Sequence, residues 1–375
     1  MNDGTPIRPA RNVELGASGE EFQNLHEFVQ KARSRLNQNA WDYIVGASET
    51  ETTMRRNRMA LDEIAFRPRV LRNVAKVEAS TGLFGRRLRL PVMIAPVGAL
   101  EIFDPDSGAA VARGAGQFGA AHMLSSVSEP GLEATAKAAP DALRIYQLYV
   151  RGDDAFVEDV VSRTIDNGYA AFCLTVDTAS YSRRERDLMR RFVKPWRVRA
   201  TGMDFQAALS WDHVKRFKDV HPDLPLILKG IATAEDAEVA CAHGVNGVYV
   251  SNHGGRQLDH GRGTLDVLPE VVTAVAGRAT VIVDGSFVRG TDVVKAMILG
   301  ADCVGIGRLA CIGVAAGAEA GLVRVLEILE DEIRICLALL GVDRYSALDA
   351  SYLHPATPVV RPHATSAFPL LEEGY

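Results

Sequence analysis

The run with the clearest chemical potential is SNHGGRQLD, residues 251–259. His253 directly follows a short apolar run, and the two glycines behind it let the backbone approach a ligand closely. A histidine accepts a proton near neutral pH, and Arg256 is able to bind a carboxylate through two hydrogen bonds. A lone histidine is more often structural, but the glycines and the arginine together favour a site that deprotonates a carboxylate-bearing molecule.

A second polar cluster follows another apolar run, where Asp177 precedes the adjacent arginines Arg183 and Arg184. Guanidinium groups suit an anionic substrate, and a carboxylate at position 177 would orient His253 and balance its charge when it is protonated. The alternative is a surface cluster in which the arginines pair with the acidic residues at 185 and 187.

Two glycine-containing runs favour phosphate binding. The runs GIGR (305–308) and DGSFVRG (284–290) each end an apolar run. Backbone N–H groups at such turns and at helix starts attract anions. Each run is a weak signal alone, because glycine is common in turns of every kind.

Eight short apolar runs, separated by segments of helical period, must position these side chains. The runs are rich in Val, Ile and Leu and do not alternate, as expected for parallel strands buried on both faces. Helical segments between them begin with capping residues and end near glycine, as at Thr233 and Gly244. The runs are 90–97, 122–125, 143–150, 170–176, 224–229, 247–251, 280–284 and 303–307.

Eight such units predict an α/β fold of the (β/α)8 TIM-barrel type. The doubly wound alternative needs a GxGxxG turn after the first strand, where this chain reads VGAL at 97–100. In a barrel, active sites lie at the carboxyl ends of the strands, and the loops after strands seven and eight bind phosphate. The three signals therefore meet at one mouth. A solvated mouth would also be polar, but the combined set favours a site.

Three regions interrupt the regular pattern. Residues 1–20 are predicted to form a flexible arm, and residues 21–375 a single domain. Residues 24–85 contain a helical segment that is predicted to pack across the barrel. Residues 178–210, the excursion after the fourth strand, have no clear periodicity. Loops of this length at that end of a barrel strand form lids or substrate walls.

The composition argues against several classes of protein. The 375 residues carry a net charge of -5 with basic residues spread along the chain, unlike a nucleic-acid-binding protein. No uncharged apolar stretch is long enough for a membrane span, and no secretory signal is evident. Five cysteines without CxxC spacing indicate reduced thiols and a cytoplasmic protein. Neither a metal site nor a haem motif is expected.

The SNHGGRQLD run matches the signature of the FMN-dependent α-hydroxy acid oxidases and dehydrogenases, such as glycolate oxidase, lactate oxidase and mandelate dehydrogenase. The chain resembles this family from about residue 25 to about residue 345. The resemblance implies FMN as cofactor, a small carboxylate as substrate, and oxygen or a diffusible molecule as electron acceptor. It also implies a homo-oligomer, commonly a tetramer.

The resemblance assigns roles to residues of this chain one by one. His253 is similar to the family's base, Asp177 to the carboxylate paired with it, and Lys229 to the lysine beside flavin N1 and O2. Tyr149 is expected to act in catalysis and in substrate binding. The residues that resemble substrate contacts are Tyr43, Tyr149, Arg184 and Arg256. Those that match cofactor contacts are Pro96, Val97, Ser125, Gln147, Thr175, Lys229, Ser251, Asp284, Arg289, Gly307 and Arg308.

The chain departs from the family pattern at three positions. The loop after the seventh strand normally reads DGGxRRG, so Val288 stands where a phosphate-binding arginine is expected, and Arg289 and Arg308 are expected to compensate. Val127 replaces a large aromatic residue, and Tyr181 stands where a smaller aliphatic residue is common. These changes imply a reshaped pocket whose substrate differs from the usual short acids.

The resulting hypothesis is that Arg184 and Arg256 hold the substrate carboxylate while His253 removes a proton, which typically accelerates a reaction ~10²–10⁴-fold. Three alternatives remain open. The first is an FMN barrel that oxidises another bond, such as C–N, or a larger carboxylated substrate. The second is a flavin-binding protein without turnover, whose flavin no acid would bleach. The third is a phosphate-binding barrel isomerase, which would be colourless.

Overall fold

The computed structural model describes residues 22–198 and 200–374, so the predicted arm lies outside the described residues. Eight parallel strands form a closed barrel in which each strand pairs with the next along the chain and the eighth pairs with the first. This confirms the predicted (β/α)8 fold, and every predicted run overlaps a strand. The strands are β1 (Val92–Ile94), β2 (Ala121–Ser125), β3 (Leu143–Leu148), β4 (Ala171–Thr175), β5 (Leu226–Ile231), β6 (Gly247–Val250), β7 (Thr280–Val283) and β8 (Cys303–Ile306).

The barrel strands are mostly apolar because both of their faces are buried. Met123 and Ile145 belong to a cluster that fills the barrel interior, whereas the neighbouring Leu124 and Tyr146 belong to the core shared with the outer helices. A hairpin of Thr81–Leu83 and Arg86–Leu88 adds two leucines to the interior cluster. Alternation between these two cores orients each strand, and so it fixes which side chains reach the mouth.

Each barrel strand is followed by a helix of the outer ring. Thr233 begins one of them as predicted, since its hydroxyl accepts a hydrogen bond from the Asp236 N–H at 3.2 Å, and Gly244 follows its end with φ +68°. The helices are α1 (Ser107–Phe118), α2 (Leu132–Ala138), α3 (Asp154–Asp166), α4 (Trp211–Val220), α5 (Ala234–Ala242), α6 (Thr264–Val275), α7 (Gly290–Ile298) and α8 (Arg308–Leu340).

Helix α8 is unusually long and apolar. By length and composition alone the helical stretch Arg308–Ala347 would suffice to cross a membrane, but 67% of its most apolar window is buried inside the protein. The helix is interrupted at Gly317 and Ala318, whose backbone angles are not helical. It packs against α1 and the N-terminal helix Leu25–Arg35, as a core helix does.

Two further N-terminal helices reach the mouth of the barrel. Gln38–Val45 packs against the excursion, and Thr52–Asp62 packs against α6. The second helix is tied to α7 by Arg58, whose two terminal nitrogens donate to the Asp292 carboxylate at 2.9 and 2.8 Å, with both side chains buried. The predicted helical segment within 24–85 is therefore three helices, and two of them shape the site.

The excursion contains three short helices, Glu185–Arg190, Pro195–Val198 and Met203–Ala207. Helices of one or two turns show too little periodicity to be read from sequence. Buried Gln206 fixes the far end of the segment, because its amide donates to the Thr175 carbonyl at 2.7 Å and accepts from the Val150 N–H at 2.7 Å. The excursion is thus joined to the ends of β3 and β4.

Candidate active site

The loop after β6 places His253 in the barrel mouth through three successive residues in the left-handed backbone conformation. His253, Gly254 and Gly255 have φ values of +60°, +66° and +78°. A Cβ at Gly255 would lie 2.5 Å from the Met54 nitrogen, and one at Gly254 would lie 2.7 Å from Arg308 Nη1. Only glycine fits these two positions, which explains the glycine pair beside the histidine.

The imidazole of His253 is held from both sides. Its Nδ1 lies 3.1 and 3.2 Å from the two Asp177 carboxylate oxygens, and its Nε2 lies 3.1 Å from the Tyr149 hydroxyl. A carboxylate at Nδ1 favours the tautomer that carries its proton there, so that Nε2 accepts from Tyr149. His253 also lines the cleft described below.

Charge and burial together keep this imidazole neutral. Burial and the nearby Lys229 ammonium lower the pKa of His253 below its usual value, although Asp177 acts in the opposite direction. Burial raises the pKa of Asp177, but His253 and Lys229 outweigh burial and hold it below the usual carboxyl range. The pair therefore combines an ionised carboxylate with a neutral histidine near pH 7, which is the state a proton acceptor requires.

A buried polar network joins the ends of β5, β6 and β7. The Lys229 ammonium donates to the Ser251 hydroxyl at 2.9 Å, and Ser251 donates to Asp284 Oδ1 at 2.7 Å. Lys229 Nζ also lies 3.6 Å from the other Asp284 oxygen. Because all three side chains are buried, the network fixes the Lys229 ammonium beside the Asp284 carboxylate at the base of the mouth.

Two guanidinium groups lie in the opposite wall. Arg256 donates to the Tyr43 carbonyl at 2.7 Å and to the Gly46 carbonyl at 2.9 Å, and Arg184 Nη2 lies 3.4 Å from the Arg256 carbonyl. The Nε of Arg184 is buried and has no hydrogen-bond partner in the described structure. Burial raises the pKa of Tyr43 to about 12, so its hydroxyl stays protonated and donates to the Gly98 carbonyl at 2.8 Å.

These side chains surround one cleft of about 1210 Å³, a volume that includes its open mouth. The predicted site residues that line it are Tyr43, Pro96, Val97, Tyr149, Arg184, Lys229, His253, Arg256, Asp284, Gly307 and Arg308.

Three predicted cofactor contacts are buried at neighbouring strand ends. Ser125, Gln147 and Thr175 are the last residues, or next to the last, of β2, β3 and β4, and each is almost fully buried. Both amide atoms of Gln147 and the hydroxyl of Thr175 have no hydrogen-bond partner in the described structure. Buried polar groups without partners are costly, so these strand ends fit a bound molecule rich in donors and acceptors, such as a flavin ring.

The phosphate end differs from the prediction for Arg289. Its guanidinium pairs with Glu332 on α8 at 2.5 Å, and Arg289 does not line the cleft. Its neighbour Val288 lines the cleft instead. The register of the loop gives the reason, because Val288 faces the cleft, whereas Arg289, the N-cap of α7, faces Glu332 on α8. The structure thus does not support Arg289 as the compensating ligand.

Arg308 remains at this end of the cleft, where its guanidinium donates to the carbonyls of Ile44, Gly46 and Gly254 at 3.0, 3.1 and 2.9 Å. Burial and the Arg256 charge lower the pKa of Arg308 to about 10. The guanidinium nevertheless keeps its charge at neutral pH, and it lies in the cleft wall at the start of α8.

Several cleft residues were missed by sequence reasoning. Ser286 has a buried hydroxyl without a partner, and its place in the DGSFVRG run was an available signal. Arg151 stands close behind β3 and was visible as a charged residue near a strand end. Trp196 and Gln206 lie in the excursion, where isolated residues in a segment without periodicity give no sequence signal.

Comparisons with known proteins agree with this geometry. The family model described as FMN-dependent dehydrogenase matches residues 32–355. An L-lactate oxidase of Nostoc sp. is 35% identical over 357 residues, covering 88% of this chain and 98% of the relative. Glycolate oxidase 1 of Zea mays is 39% identical over 343 residues, covering 86% of this chain and 92% of the relative.

Solved structures give the same result. The crystal structure of mandelate oxidase with (S)-2-phenylpropionate superposes with a TM-score of 0.82 at 36% identity, covering 90% of this chain and 100% of that one. A mandelate oxidase variant with the C4a-OH-FMN adduct superposes with a TM-score of 0.81 at 36% identity, covering 89% and 100%. The cleft, the unpartnered groups at the neighbouring strand ends and these similarities lead to one conclusion: the chain belongs to the FMN-dependent dehydrogenase family.

Proposed function

We propose that His253 is the base, and Arg184 and Arg256 the carboxylate-binding groups, in the FMN-dependent oxidation of an α-hydroxy acid that this enzyme catalyses. One observation supports these roles above all. A neutral imidazole, fixed by Asp177, faces the same cleft as the guanidinium groups of Arg184 and Arg256. Bound FMN supplies the two-electron acceptor of the reaction.

The arginines determine how the substrate is oriented. A planar guanidinium binds a carboxylate through two parallel hydrogen bonds, which fixes the direction of the substrate as well as its position. Arg184 Nε has a free donor in the wall, and Arg256 is held by backbone carbonyls behind it. The substrate carboxylate is bound between them, and its α-carbon then faces His253.

The proton moves to Nε2 of His253. The Tyr149 hydroxyl donates to this nitrogen, and we propose that a substrate hydroxyl takes its place or shares it. When Nε2 is protonated, the imidazole becomes cationic and the Asp177 carboxylate at Nδ1 stabilises the new charge. The buried hydroxyl of Tyr149 has a pKa raised by burial, so it acts as a hydrogen-bond donor.

The chain's own residues hold FMN at two ends of the cleft. We assign the ring to the strand-end groups of Ser125, Gln147 and Thr175 and to the charge of Lys229. We assign the phosphate to Arg308, the Ser286 hydroxyl and the N-terminal end of α8, where backbone N–H groups favour an anion. In this assignment the missing arginine at Val288 is replaced by a hydroxyl and a helix start.

Two measurements test the proposal. The purified protein should show flavin absorbance, and a panel of α-hydroxy acids should bleach that absorbance in the absence of air. His253→Gln should retain the flavin but be reduced ~10²–10⁴-fold more slowly, since a positioned base contributes that much. His260→Gln is the matched control, because His260 lies in the same loop with the same φ of +60° but is exposed. Near-normal reduction of the His253 variant would remove this residue from the role.

A second candidate is the same barrel acting on a larger carboxylated substrate, which Val127 favours by leaving a small side chain in the cleft wall. Bleaching by bulky acids, and not by short ones, would identify it. The cytoplasmic location, the tetramer and the identity of the electron acceptor stay predictions. Sedimentation velocity of the purified protein tests the tetramer, and oxygen consumption during turnover tests oxygen as acceptor.

A further inference from the structure

The cleft wall contains one more cationic side chain than the proposed binding of substrate and FMN requires. The cations that line the cleft are Arg151, Arg184, Lys229, Arg256 and Arg308, and among the described residues Asp284 is the one carboxylate that lines it. Asp284 is already paired with Lys229 and Ser251, and Asp177, which does not line the cleft, is paired with His253. Four of the cations have roles in binding the substrate carboxylate or FMN. Arg151 has none.

The surroundings of Arg151 contain no counter-charge. Its Nη1 lies 3.4 Å from the Thr201 carbonyl and contacts the Met203 sulfur, and both partners are neutral. Its Nε is buried without a hydrogen-bond partner, and no carboxylate pairs with Arg151 among residues 22–198 and 200–374. Burial lowers the pKa of Arg151, yet an arginine stays ionised. A half-buried cation in this state is stabilised by any anion that reaches it.

Arg151 is separated from the carboxylate-binding arginines by two aromatic rings. Its guanidinium carbon lies 5.4 Å from the Trp196 ring centroid, and the Trp196 and Tyr181 centroids are 6.0 Å apart. The Arg184 guanidinium carbon lies 4.6 Å from the Tyr181 centroid on the other side of this pair. A molecule that contacts both arginines therefore passes the Trp196 and Tyr181 rings between two cationic ends.

We propose that the preferred substrate is an α-hydroxy acid with a second carboxylate at the far end of its carbon chain, and that Arg151 binds this distal carboxylate. This inference rests on the proposed function, in which Arg184 and Arg256 bind the carboxylate next to the reacting carbon. The methylene groups between the two carboxylates lie against Tyr181 and Trp196. The guanidinium fork of Arg151 matches a planar carboxylate.

This arrangement discriminates against acids with a single carboxylate. A monoacid of the same length places a methyl end beside Arg151 and leaves the cation without a partner. Sites that leave a buried polar group unpaired reject the poorer ligand more strongly than apolar pockets do. A hydrogen bond to a charged group corresponds to about a 10- to 100-fold preference for the diacid.

The test compares matched pairs of substrates that differ only in the distal group. The pairs are 2-hydroxyglutarate with 2-hydroxypentanoate, and 2-hydroxyadipate with 2-hydroxyhexanoate, assayed by anaerobic reduction of the bound flavin. We expect the wild-type rate at low substrate concentration to favour at least one diacid by about 10- to 100-fold. Arg151→Gln should reduce this preference to about 2-fold or less, and Arg151→Lys should keep part of it.

Arg183→Gln is the matched control. Arg183 belongs to the same excursion wall, its side chain is exposed, and it pairs with Glu185 rather than lining the cleft. The substitution removes the same charge from the same region, so the diacid preference should survive. Equal loss in both variants would show only a general effect of positive charge and would overturn the subsite. Equal wild-type rates with diacid and monoacid would overturn it as well.

A binding measurement separates this inference from the proposed function. Calorimetric titration of the holoenzyme with 2-oxoglutarate and with 2-oxopentanoate requires no turnover. Tighter binding of the diacid that is lost in Arg151→Gln supports the subsite even if no hydroxy acid reduces the flavin, a result that would refute only the proposed function. Equal affinity for the two ligands in the wild type overturns the subsite, whatever the reduction assay gives.

Discussion

The pairing of His253 with Asp177 makes a prediction that can be worked out in some detail. Asp177→Asn keeps the size of the side chain but removes the charge that lies 3.1 and 3.2 Å from Nδ1. When the base takes up a proton, the carboxylate stabilises the imidazolium through a charge-assisted hydrogen bond, which contributes about 1.5–3 kcal/mol. Since each 1.36 kcal/mol is tenfold in rate, we expect flavin reduction to slow about 10- to 160-fold.

The same substitution has a predictable effect on pH dependence. His253 must be neutral to act as a base, so the rate falls as pH decreases through its pKa. Burial and Lys229 lower that pKa while Asp177 raises it. Removing the carboxylate therefore lowers the pKa further and moves the acid limb of the pH–rate profile to lower pH, while the plateau also falls.

Anaerobic stopped-flow measurement of flavin reduction across the acidic and neutral pH range provides the assay. Flavin content and the thermal unfolding midpoint of Asp177→Asn serve as controls for folding. An unchanged plateau would refute the role of the carboxylate in stabilising the imidazolium. An acid limb that moves to higher pH would refute the electrostatic reasoning, because it would mean that Asp177 lowers the pKa of the histidine.

Three further predictions concern single contacts. Tyr149→Phe removes a neutral hydrogen bond to the base, worth about 0.5–1.5 kcal/mol, and should slow flavin reduction about 2- to 13-fold in the same assay. Arg289→Gln should leave the flavin content unchanged but reduce stability in urea by about 1–3 kcal/mol, because Glu332 loses its charged partner and keeps the Gly290 N–H. Loss of flavin would restore the phosphate role. Asp292→Asn should cost about 1–3 kcal/mol in urea, since buried Arg58 loses one of its two carboxylate partners and keeps Asp62. Burial raises the pKa of Asp292, but Arg58 outweighs burial and holds the pKa of this carboxyl below its usual value. The stabilisation from the ion pair is therefore present above the ordinary carboxyl pKa and lost as pH falls through the lower folded-state pKa. Equal acid sensitivity of the variant and the wild type would contradict a stabilising role of this ion pair.

The barrel was predictable from sequence because its strands are apolar on both faces. Runs such as 143–150 and 303–307 contain no alternation and leave few alternatives to a buried parallel sheet. Strand order then follows, since neighbouring β-α units pair in sequence. Once the mouth was defined, His253, Asp177 and Lys229 were brought together by topology alone: in the structure His253 and Lys229 line one cleft, and Asp177 pairs with His253.

The features that could not be predicted depend on the direction in which side chains point, rather than on where the residues lie in the sequence. Arg289 and Val288 are adjacent, and only the register of the loop decides which of them faces the cleft. Gln206 is far from β3 and β4 in sequence, and nothing in its surroundings signals that its amide joins the two strand ends. Arg151 was visible near a strand end, but its lack of a counter-charge is a property of three-dimensional packing.

The anchoring of the excursion determines when its order is established. Gln206 fixes the far end, and at the near end Ser182 donates to the Arg256 carbonyl at 2.6 Å while Gln257 donates to the Ser180 carbonyl at 3.0 Å. Between them, buried Lys194 pairs with Asp187. The conformational entropy of this wall is therefore lost during folding of the chain and not during each catalytic cycle. An incoming substrate binds to a preorganised surface, so its binding free energy is not reduced by the cost of ordering a loop. A rigid wall also disfavours molecules whose shape does not match it.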